Sequence, residues 1–309
     1  MITTVTLNPC NDLTFNISNF VYGGMNRVLS QRFDFAGKGF NVARIVSRLG
    51  EKATATGFLY DENGKDMQKS LIDEGVTVDC IWKQGKIRTN IKLFDEKKKV
   101  ITEVNEQGVF ASKDDVDEVF KKIIELADNS DFLVLSGSIC PGCEDDIYSN
   151  IIRFCSNNTK IILDAEGKKL SLGIEQKPFM IKPNLFELET ALNKTLETNE
   201  DIKNACREII EKGVEIVAVS MGERGLIIAD NNKTIFAPPI KDLQVLGTVG
   251  AGDSMVAAFA VSLKRGLPLE EVCKQGVAAA SGCVSRAGTD LVTKQDIEQL
   301  LPKVEIVEI

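Results

Sequence analysis

The chain has 309 residues with 45 acidic and 37 basic side chains, a net charge of −8, and no histidine. The missing histidine excludes hydrolases that use a catalytic imidazole, and it excludes zinc sites with imidazole ligands. The acidic balance argues against a nucleic-acid partner, because a protein that binds duplex DNA needs a basic face. Any general base must therefore be a carboxylate, a lysine, a cysteine or a tyrosine.

Short apolar segments alternate with amphipathic helical stretches along most of the sequence. In chain order, the pattern predicts strands at residues 3–8, 53–58, 132–136, 160–164, 179–181, 216–220 and 226–229. It predicts helices at residues 116–127, 202–210 and 255–263. Strands that alternate with helices form a parallel sheet covered on both faces, and such sheets bind ligands beyond the carboxyl ends of their strands.

Two segments, 17–35 and 87–104, alternate apolar and polar residues without a helical period. The second predicts a hairpin, with strands at 87–94 and 100–104 joined by a lysine-rich turn at 95–99. We expect one domain over residues 1–309, in which segments of about 10–35 and 86–106 form a small extra sheet.

The cellular location is expected to be cytoplasmic, without a membrane partner. The first residues lack the charged region of a signal peptide, and the apolar helix at 255–263 is too short to span a bilayer. The eight cysteines should then be reduced thiols. Cys140 and Cys143 could form a redox or metal pair, but a metal site needs more ligands, so we expect two small loop residues.

The strongest local motif is the glycine-rich segment 247–254, GTVGAGDS, directly before the apolar helix. Glycines at a helix start leave its first amides free to face an anion, and the helix dipole favours negative charge there. Asp253 could cap that dipole, or it could act as a base beside the anion site. The segment is not a Walker A loop, because the Gly-Lys-Ser/Thr ending is missing.

A second glycine cluster, AGKGFNVAR at residues 36–44, also opens a helix. Together the two clusters resemble the N- and C-terminal signatures of the ribokinase-like sugar kinases, the phosphofructokinase-B family. The resemblance covers essentially the whole chain and includes TLNPCND at 6–12, SGS at 136–138, KPNLFE at 182–187 and SMGERG at 220–225. It implies a three-layer α/β/α sandwich with a mostly parallel central sheet and a small β-sheet lid.

The resemblance implies transfer of the γ-phosphoryl group of ATP to a sugar hydroxyl, with Asp253 as the base. Such catalysis depends on positioning and electrostatics, so it needs no histidine. The developing negative charge would be held by the amides of Gly250, Ala251 and Gly252. Nucleotide contacts are expected from Lys182, Ser220, Gly222, Gly225, Gly252 and, within an adenine-lining segment at 279–288, Ser281.

Magnesium is the second cofactor that the resemblance implies. Asn184 and Glu187 lie three residues apart on one helix face and match the family motif that organises Mg²⁺, often through water. The same two residues also fit a helix N-cap and a solvated glutamate, so both interpretations stay open.

On the acceptor side, the family positions that bind sugar hydroxyls correspond to Asp12, Gly37 and Asn41. Cations for a phosphate already on the substrate could be Arg27, Lys38, Arg88 and Lys92. The alternation of Arg88, Asn90 and Lys92 puts all three on one face of a strand, which could equally be a solvated lid surface. Ser138 is expected beside the same phosphate.

The lysine of GKG at 37–39 and the run RTNIK at 88–92 are similar to the branch of the family that acts on phosphorylated ketoses. Fructose 1-phosphate is the expected acceptor, giving fructose 1,6-bisphosphate, and tagatose 6-phosphate is the alternative. A catalytically silent sugar-phosphate sensor is a further alternative, but it would have no use for Asp253, Asn184 and Glu187. The resemblance also implies a homodimer formed through the lid sheets.

Overall fold

The computed structural model describes residues 1–155, 159–286 and 290–309. Its strands, in chain order, are β1 (Ile2–Thr6), β2 (Cys10–Ile17), β3 (Val28–Ala36), β4 (Ala53–Tyr60), β5 (Thr77–Val78), β6 (Ile81–Lys83), β7 (Arg88–Asp95), β8 (Val100–Asn105), β9 (Phe132–Ser136), β10 (Lys160–Asp164), β11 (Met180–Ile181), β12 (Ile216–Ser220), β13 (Leu226–Ala229), β14 (Thr234–Ala237) and β15 (Val307–Glu308). Its helices are α1 (Lys38–Arg48), α2 (Gly64–Asp73), α3 (Lys113–Ala127), α4 (Ile147–Cys155), α5 (Gly167–Glu175), α6 (Leu185–Leu192), α7 (Asn199–Glu211), α8 (Ala251–Lys264), α9 (Leu269–Val284) and α10 (Lys294–Leu300).

The larger sheet has β1 in its interior, parallel to β4 on one side and to β9 on the other. Over the described residues its order is β15-β14-β13-β12-β11-β10-β9-β1-β4-β5, with β6 also paired to β4. Neighbouring strands from β5 to β12 are parallel, whereas each pair from β12 to β15 is antiparallel. Four predicted strands have the bounds of β9, β10, β12 and β13. The mostly parallel central sheet is therefore confirmed.

Helices cover the main sheet in two layers. Helix α8 packs against both α1 and α9, and these three helices contact the sheet, while α3 to α7 form the other layer. A Cβ atom on Gly276 of α9 would lie 2.1 Å from the Phe259 ring of α8, so glycine is what lets these two helices approach. Among the described helices, none has the length and apolar character needed to cross a membrane.

The smaller sheet, called the lid below, has the order β3-β2-β7-β8. Strands β2 and β7 are parallel, and the outer pairs β2–β3 and β7–β8 are antiparallel. The predicted hairpin is present as β7 and β8, and the Asp95 carboxylate closes its turn by accepting from the amides of Lys97 and Lys98. The small extra sheet is confirmed, whereas the division into one domain with two inserted segments stays a prediction.

Candidate active site

A cleft of about 700 Å³ lies between the main sheet and the lid. Thr6, Ser136 and Ser220 line it at the carboxyl ends of β1, β9 and β12, the ends at which parallel sheets bind ligands. Residues of β2, β7 and β8 form the opposite wall, and the N-terminal ends of α1 and α8 open onto the same space.

Most residues of the predicted site line this cleft. They are Asp12, Gly37, Lys38, Asn41, Arg88, Asn90, Ser138, Lys182, Asn184, Glu187, Ser220, Gly250, Gly252 and Asp253. Lys92 lines it as well. The fold therefore brings motifs from both halves of the sequence to one place.

Two residues predicted to contact phosphate lie outside the cleft lining. Arg27 is exposed in the loop before β3. Ala251 starts α8, and its amide donates to the carbonyl of Thr248 at 3.4 Å. Neither side chain therefore shapes the cleft wall in this chain, and their roles stay predictions.

Three residues predicted to bind nucleotide also lie beyond the lining. Gly222 and Gly225 flank the turn after β12, where their φ angles of 57° and 93° favour glycine. Ser281 is buried in α9. The predicted adenine segment 279–288 includes residues 287 and 288, which fall outside the described residues.

Asp253 lies in the first turn of α8, and it is 6% exposed. The chain enters this helix through Gly250, whose φ of 81° lies in the left-handed region. The Asp253 Oδ2 atom accepts a 2.8 Å hydrogen bond from Nδ2 of Asn41 on α1. Burial raises the pKa of Asp253 to about 6, although the Lys38 ammonium opposes the rise. A carboxylate with a pKa this close to neutrality is suited to accepting a proton.

Asp164, the last residue of β10, is a site residue that sequence reasoning misses. It is buried, and its Oδ2 atom accepts from Ser136 Oγ at 2.7 Å and from Lys38 Nζ at 3.3 Å. Lys182 Nζ lies 3.3 Å from the other carboxylate oxygen. Burial raises the pKa of Asp164, but the two ammonium groups outweigh burial and hold that pKa well below its usual range. The sequence signal that could have identified Asp164 is an acidic residue at the end of an apolar strand.

Asp12 faces the cleft from β2 and is almost wholly buried. Its Oδ2 atom accepts a 2.5 Å hydrogen bond from Lys92 Nζ, and its Oδ1 atom accepts a 3.3 Å bond from Asn90 Nδ2. Lys92 is buried too, so its ammonium neutralises Asp12. This contact differs from the expected phosphate contact, because a buried ammonium pairs with the nearest carboxylate.

Arg88 begins β7 and carries a charge that backbone groups hold in place. Its guanidinium donates to the carbonyls of Glu106 at 2.8 Å and Asn8 at 3.4 Å, and to Ser138 Oγ at 3.2 Å. Within the described ranges no carboxylate forms an ion pair with it, and its Nε atom is a buried donor without a partner. A positioned cation with donors to spare suits a phosphate or carboxylate ligand.

Asn184 and Glu187 form a reciprocal cap at the start of α6. The Asn184 side chain accepts from the Glu187 amide, and the Glu187 carboxylate accepts from the Asn184 amide, both at 2.8 Å. Glu187 lines the cleft, and its second carboxylate oxygen does not take part in the cap. That oxygen suits a Mg²⁺ ion whose other ligands are substrate phosphates and water. In the described parts of the chain, no group of three or more acidic or cysteine side chains could hold a metal alone.

Comparisons with known proteins agree with this arrangement. Residues 5–296 match the family described as pfkB family carbohydrate kinase. The chain is 32% identical to 1-phosphofructokinase of Borreliella burgdorferi over 100% of this chain and 99% of that protein, and 34% identical to the Bacillus subtilis 1-phosphofructokinase over 99% of both. Phosphofructokinase-2 of Escherichia coli, solved with substrates and products, superimposes with a TM-score of 0.92 at 29% identity, over 97% of this chain and 98% of that one. The chain belongs to the pfkB family of carbohydrate kinases.

Proposed function

We propose that the protein transfers the γ-phosphoryl group of ATP to the C6 hydroxyl of fructose 1-phosphate, forming fructose 1,6-bisphosphate. One observation carries the proposal: the buried Asp253 carboxylate shares a cleft with the Arg88 guanidinium, which has no acidic partner in the described chain. A base at a helix N-terminus suits phosphoryl transfer, and the free cation suits an acceptor that already carries phosphate. The relatives named 1-phosphofructokinase support this acceptor.

Asp253 accepts the proton of the C6 hydroxyl as that oxygen bonds to the γ-phosphorus and the bond to the ADP oxygen breaks. Asn41 holds one carboxylate oxygen with its 2.8 Å hydrogen bond, which leaves the other oxygen for the hydroxyl proton. The amides of segment 250–252, at the positive end of α8, stabilise the charge that develops on the transferred group.

Lys38 and Lys182 supply fixed positive charge on the floor of the cleft. Both ammonium groups lie 3.3 Å from Asp164, which is ionised and holds them in place. Because the transferred group and the nucleotide phosphates are anionic, these two cations favour the transition state electrostatically. The nucleotide is proposed to lie against Ser220 and the turn at 222–225, with Ser281 on the adenine side.

On the acceptor side, Arg88 and Ser138 would hold the phosphate already on the sugar. Asp12 would accept hydrogen bonds from sugar hydroxyls. Lys92 and Asn90 each donate to one of its oxygens and fix the carboxylate in place, and each oxygen can accept a further hydrogen bond. Gly37 would let the backbone approach the sugar closely, since its φ of 128° is one that glycine adopts readily.

Mg²⁺ is proposed to be held by Glu187 and Asn184 together with the phosphates of ATP. When bound, it would neutralise phosphate charge. We expect a chelator to abolish activity, and we expect Glu187→Gln to raise the Mg²⁺ concentration for half-maximal rate by about tenfold or more. The exposed Glu118→Gln on α3 is the matched control and should leave that concentration unchanged. Full activity in the presence of chelator would contradict the proposal that Glu187 and Asn184 hold a Mg²⁺ ion needed for the reaction.

The rate should depend on pH through Asp253. Because the base must be ionised and burial raises its pKa to about 6, kcat/KM for the sugar phosphate should fall about tenfold per pH unit below about pH 6 and level off above it. Asn41→Ala removes a hydrogen bond that favours the ionised form of Asp253, so the acid limb of the pH–rate profile should move to higher pH. An acid limb with its midpoint near the ordinary aspartate pKa of about 4 would contradict the assignment of Asp253 as the base.

We also propose that two copies pair through the lid face that points away from the cleft. An apolar row crosses the lid strands through Phe33, Leu13, Ile91 and Val104. Phe33 and Val104 are 53% and 55% exposed. Side chains alternate along a strand, and Asp12 lines the cleft, so its neighbour Leu13 and the row face away from it. A two-fold axis lets the row on one copy cover the same row on the other.

The homodimer is tested by Phe33→Asp, which places a charge at the exposed β3 end of the apolar row. Sedimentation equilibrium should give a dimer for the parent protein and a monomer for this variant, since burying an unpaired carboxylate opposes association. Phe154→Asp, on the exposed surface of α4, is the matched control and should stay dimeric. A parent protein that is monomeric at assay concentration would contradict the proposal.

Product identification tests the proposed reaction. With ATP and fructose 1-phosphate, we expect ADP and fructose 1,6-bisphosphate in equal amounts, with phosphorus NMR showing the new phosphate on C6. ADP without a bisphosphate would contradict the transfer, and tight sugar-phosphate binding without turnover would favour the silent sensor. A cytoplasmic location goes with this proposal, since charged nucleotides and sugar phosphates are retained inside cells.

A further inference from the structure

Cys140 and Cys143 lie at the two ends of a tight turn that follows Ser138. The Cys143 amide donates to the Cys140 carbonyl at 3.1 Å, and Gly142 between them has a φ of 93°. Proline at the second position and a positive-φ glycine at the third are typical of a type II turn. Such a turn keeps its end Cα atoms within about 7 Å, which overlaps the separation of about 4.4–6.8 Å found across disulfides.

The two thiols already face each other, with their sulfur atoms 3.6 Å apart. A disulfide bond is about 2.05 Å long, so the pair can close with a short movement. Cys143 is partly exposed, whereas Cys140 is buried, so an oxidant reaches Cys143 first. The contact between the two thiols lowers the pKa of Cys140 and, together with burial, raises the pKa of Cys143, so exposure rather than acidity makes Cys143 the first to react.

The turn is joined directly to the acceptor side of the cleft. The carbonyl of Pro141 accepts a 2.7 Å hydrogen bond from the segment before α3, which fixes the middle of the turn. Any backbone movement of Cys140 on closure would therefore pass to the residues that precede it rather than to the middle of the turn. The Ile139 carbonyl accepts from Asn8 Nδ2 at 3.1 Å, and Ser138 Oγ accepts from Arg88 at 3.2 Å. Asn8 and Arg88 both line the cleft.

We propose that Cys140 and Cys143 form a reversible disulfide that weakens binding of the phosphorylated acceptor. A small-molecule disulfide such as glutathione disulfide would first exchange with the more exposed Cys143, which gives up its thiol proton as its sulfur attacks, releasing one thiol and leaving a mixed disulfide. The Cys140 thiolate then attacks the Cys143 sulfur and expels the second thiol. The protein loses two hydrogen atoms and the oxidant gains them. The kinetic effect rests on the proposed function, whereas the covalent step does not.

The test is to equilibrate the full-length protein in glutathione redox buffers, map disulfides by non-reducing peptide mass spectrometry, and measure KM for both substrates. We expect a Cys140–Cys143 disulfide, a KM for fructose 1-phosphate raised about tenfold and an unchanged KM for ATP, all reversed by dithiothreitol. Cys143→Ser should keep the reduced enzyme's activity and lose the response. Cys80→Ser, which removes another partly exposed thiol, should keep the response.

Failure to find the Cys140–Cys143 disulfide, or modification confined to Cys10 in the cleft, would overturn the modification site. A mapped disulfide that leaves the KM for fructose 1-phosphate unchanged would overturn the link to the acceptor. If the reduced protein phosphorylates no sugar, the proposed function fails, while the peptide map still decides whether the disulfide forms.

Discussion

Replacing Asp253 with asparagine should lower kcat by about 10²–10⁴-fold, while the KM values for ATP and for the sugar phosphate change little. Asparagine has nearly the same shape and still contacts Asn41, but its amide cannot accept the hydroxyl proton. The anion site of α8 and the cations on the floor of the cleft are untouched, so both substrates should still bind. Steady-state kinetics with isothermal titration of each substrate separate the loss of turnover from a loss of binding.

The control for that experiment is Asp117→Asn, which makes the same change on the exposed face of α3 and should leave kcat unaltered. The acid limb of the pH profile should disappear in Asp253→Asn, because the group that titrates near pH 6 is gone. Near-normal turnover in this variant would show that another group accepts the proton, and a large rise in both KM values would indicate a structural role.

Arg88→Ala should raise the KM for fructose 1-phosphate by about 10²-fold, and it should change the KM for unphosphorylated fructose far less. The guanidinium is held by carbonyls of Glu106 and Asn8 and has an unused buried donor, so its charge is available to a ligand. Its loss removes a charge-assisted hydrogen bond that only a phosphorylated acceptor can make. Comparing the two sugars in one variant cancels any general damage to the fold.

Two further variants sharpen the interpretation of Arg88. Arg88→Lys keeps the charge but not the planar fork, so it should recover only part of the lost affinity. Arg153→Ala removes an arginine from the surface of α4, and we expect it to leave both KM values unchanged. Equal increases for fructose and fructose 1-phosphate in Arg88→Ala would mean that Arg88 does not bind the phosphate.

The central strands were predictable because their burial leaves a direct trace in the sequence. Strands β9 and β10 are short apolar runs between helical stretches, and both have the predicted bounds. Helix α9 is absent from the prediction, because its interior glycines weaken the helical signal. Its Gly276 is explained only by the packed structure, where the Phe259 ring occupies the space of a side chain. Tertiary packing, rather than local propensity, decides such helices.

The residues that line the site were predictable from motifs, but their partners were not. Lys92 stands 80 positions from Asp12, and only the parallel pairing of β2 with β7 puts them side by side. Asp164 likewise meets Lys38 across 126 positions. Spacing along the chain carries no information about such contacts, so a pattern that shows a lysine cannot show whether it binds a ligand or neutralises a neighbour.

The most direct measurement is kcat/KM by coupled ADP release for fructose 1-phosphate, tagatose 6-phosphate, fructose 6-phosphate, fructose and ribose under the same conditions. We expect fructose 1-phosphate to give the highest value, at least about tenfold above each of the others, because discrimination between isomers follows differences in transition-state binding. A value for fructose 6-phosphate, tagatose 6-phosphate or an unphosphorylated sugar that equals or exceeds it would contradict the proposed acceptor.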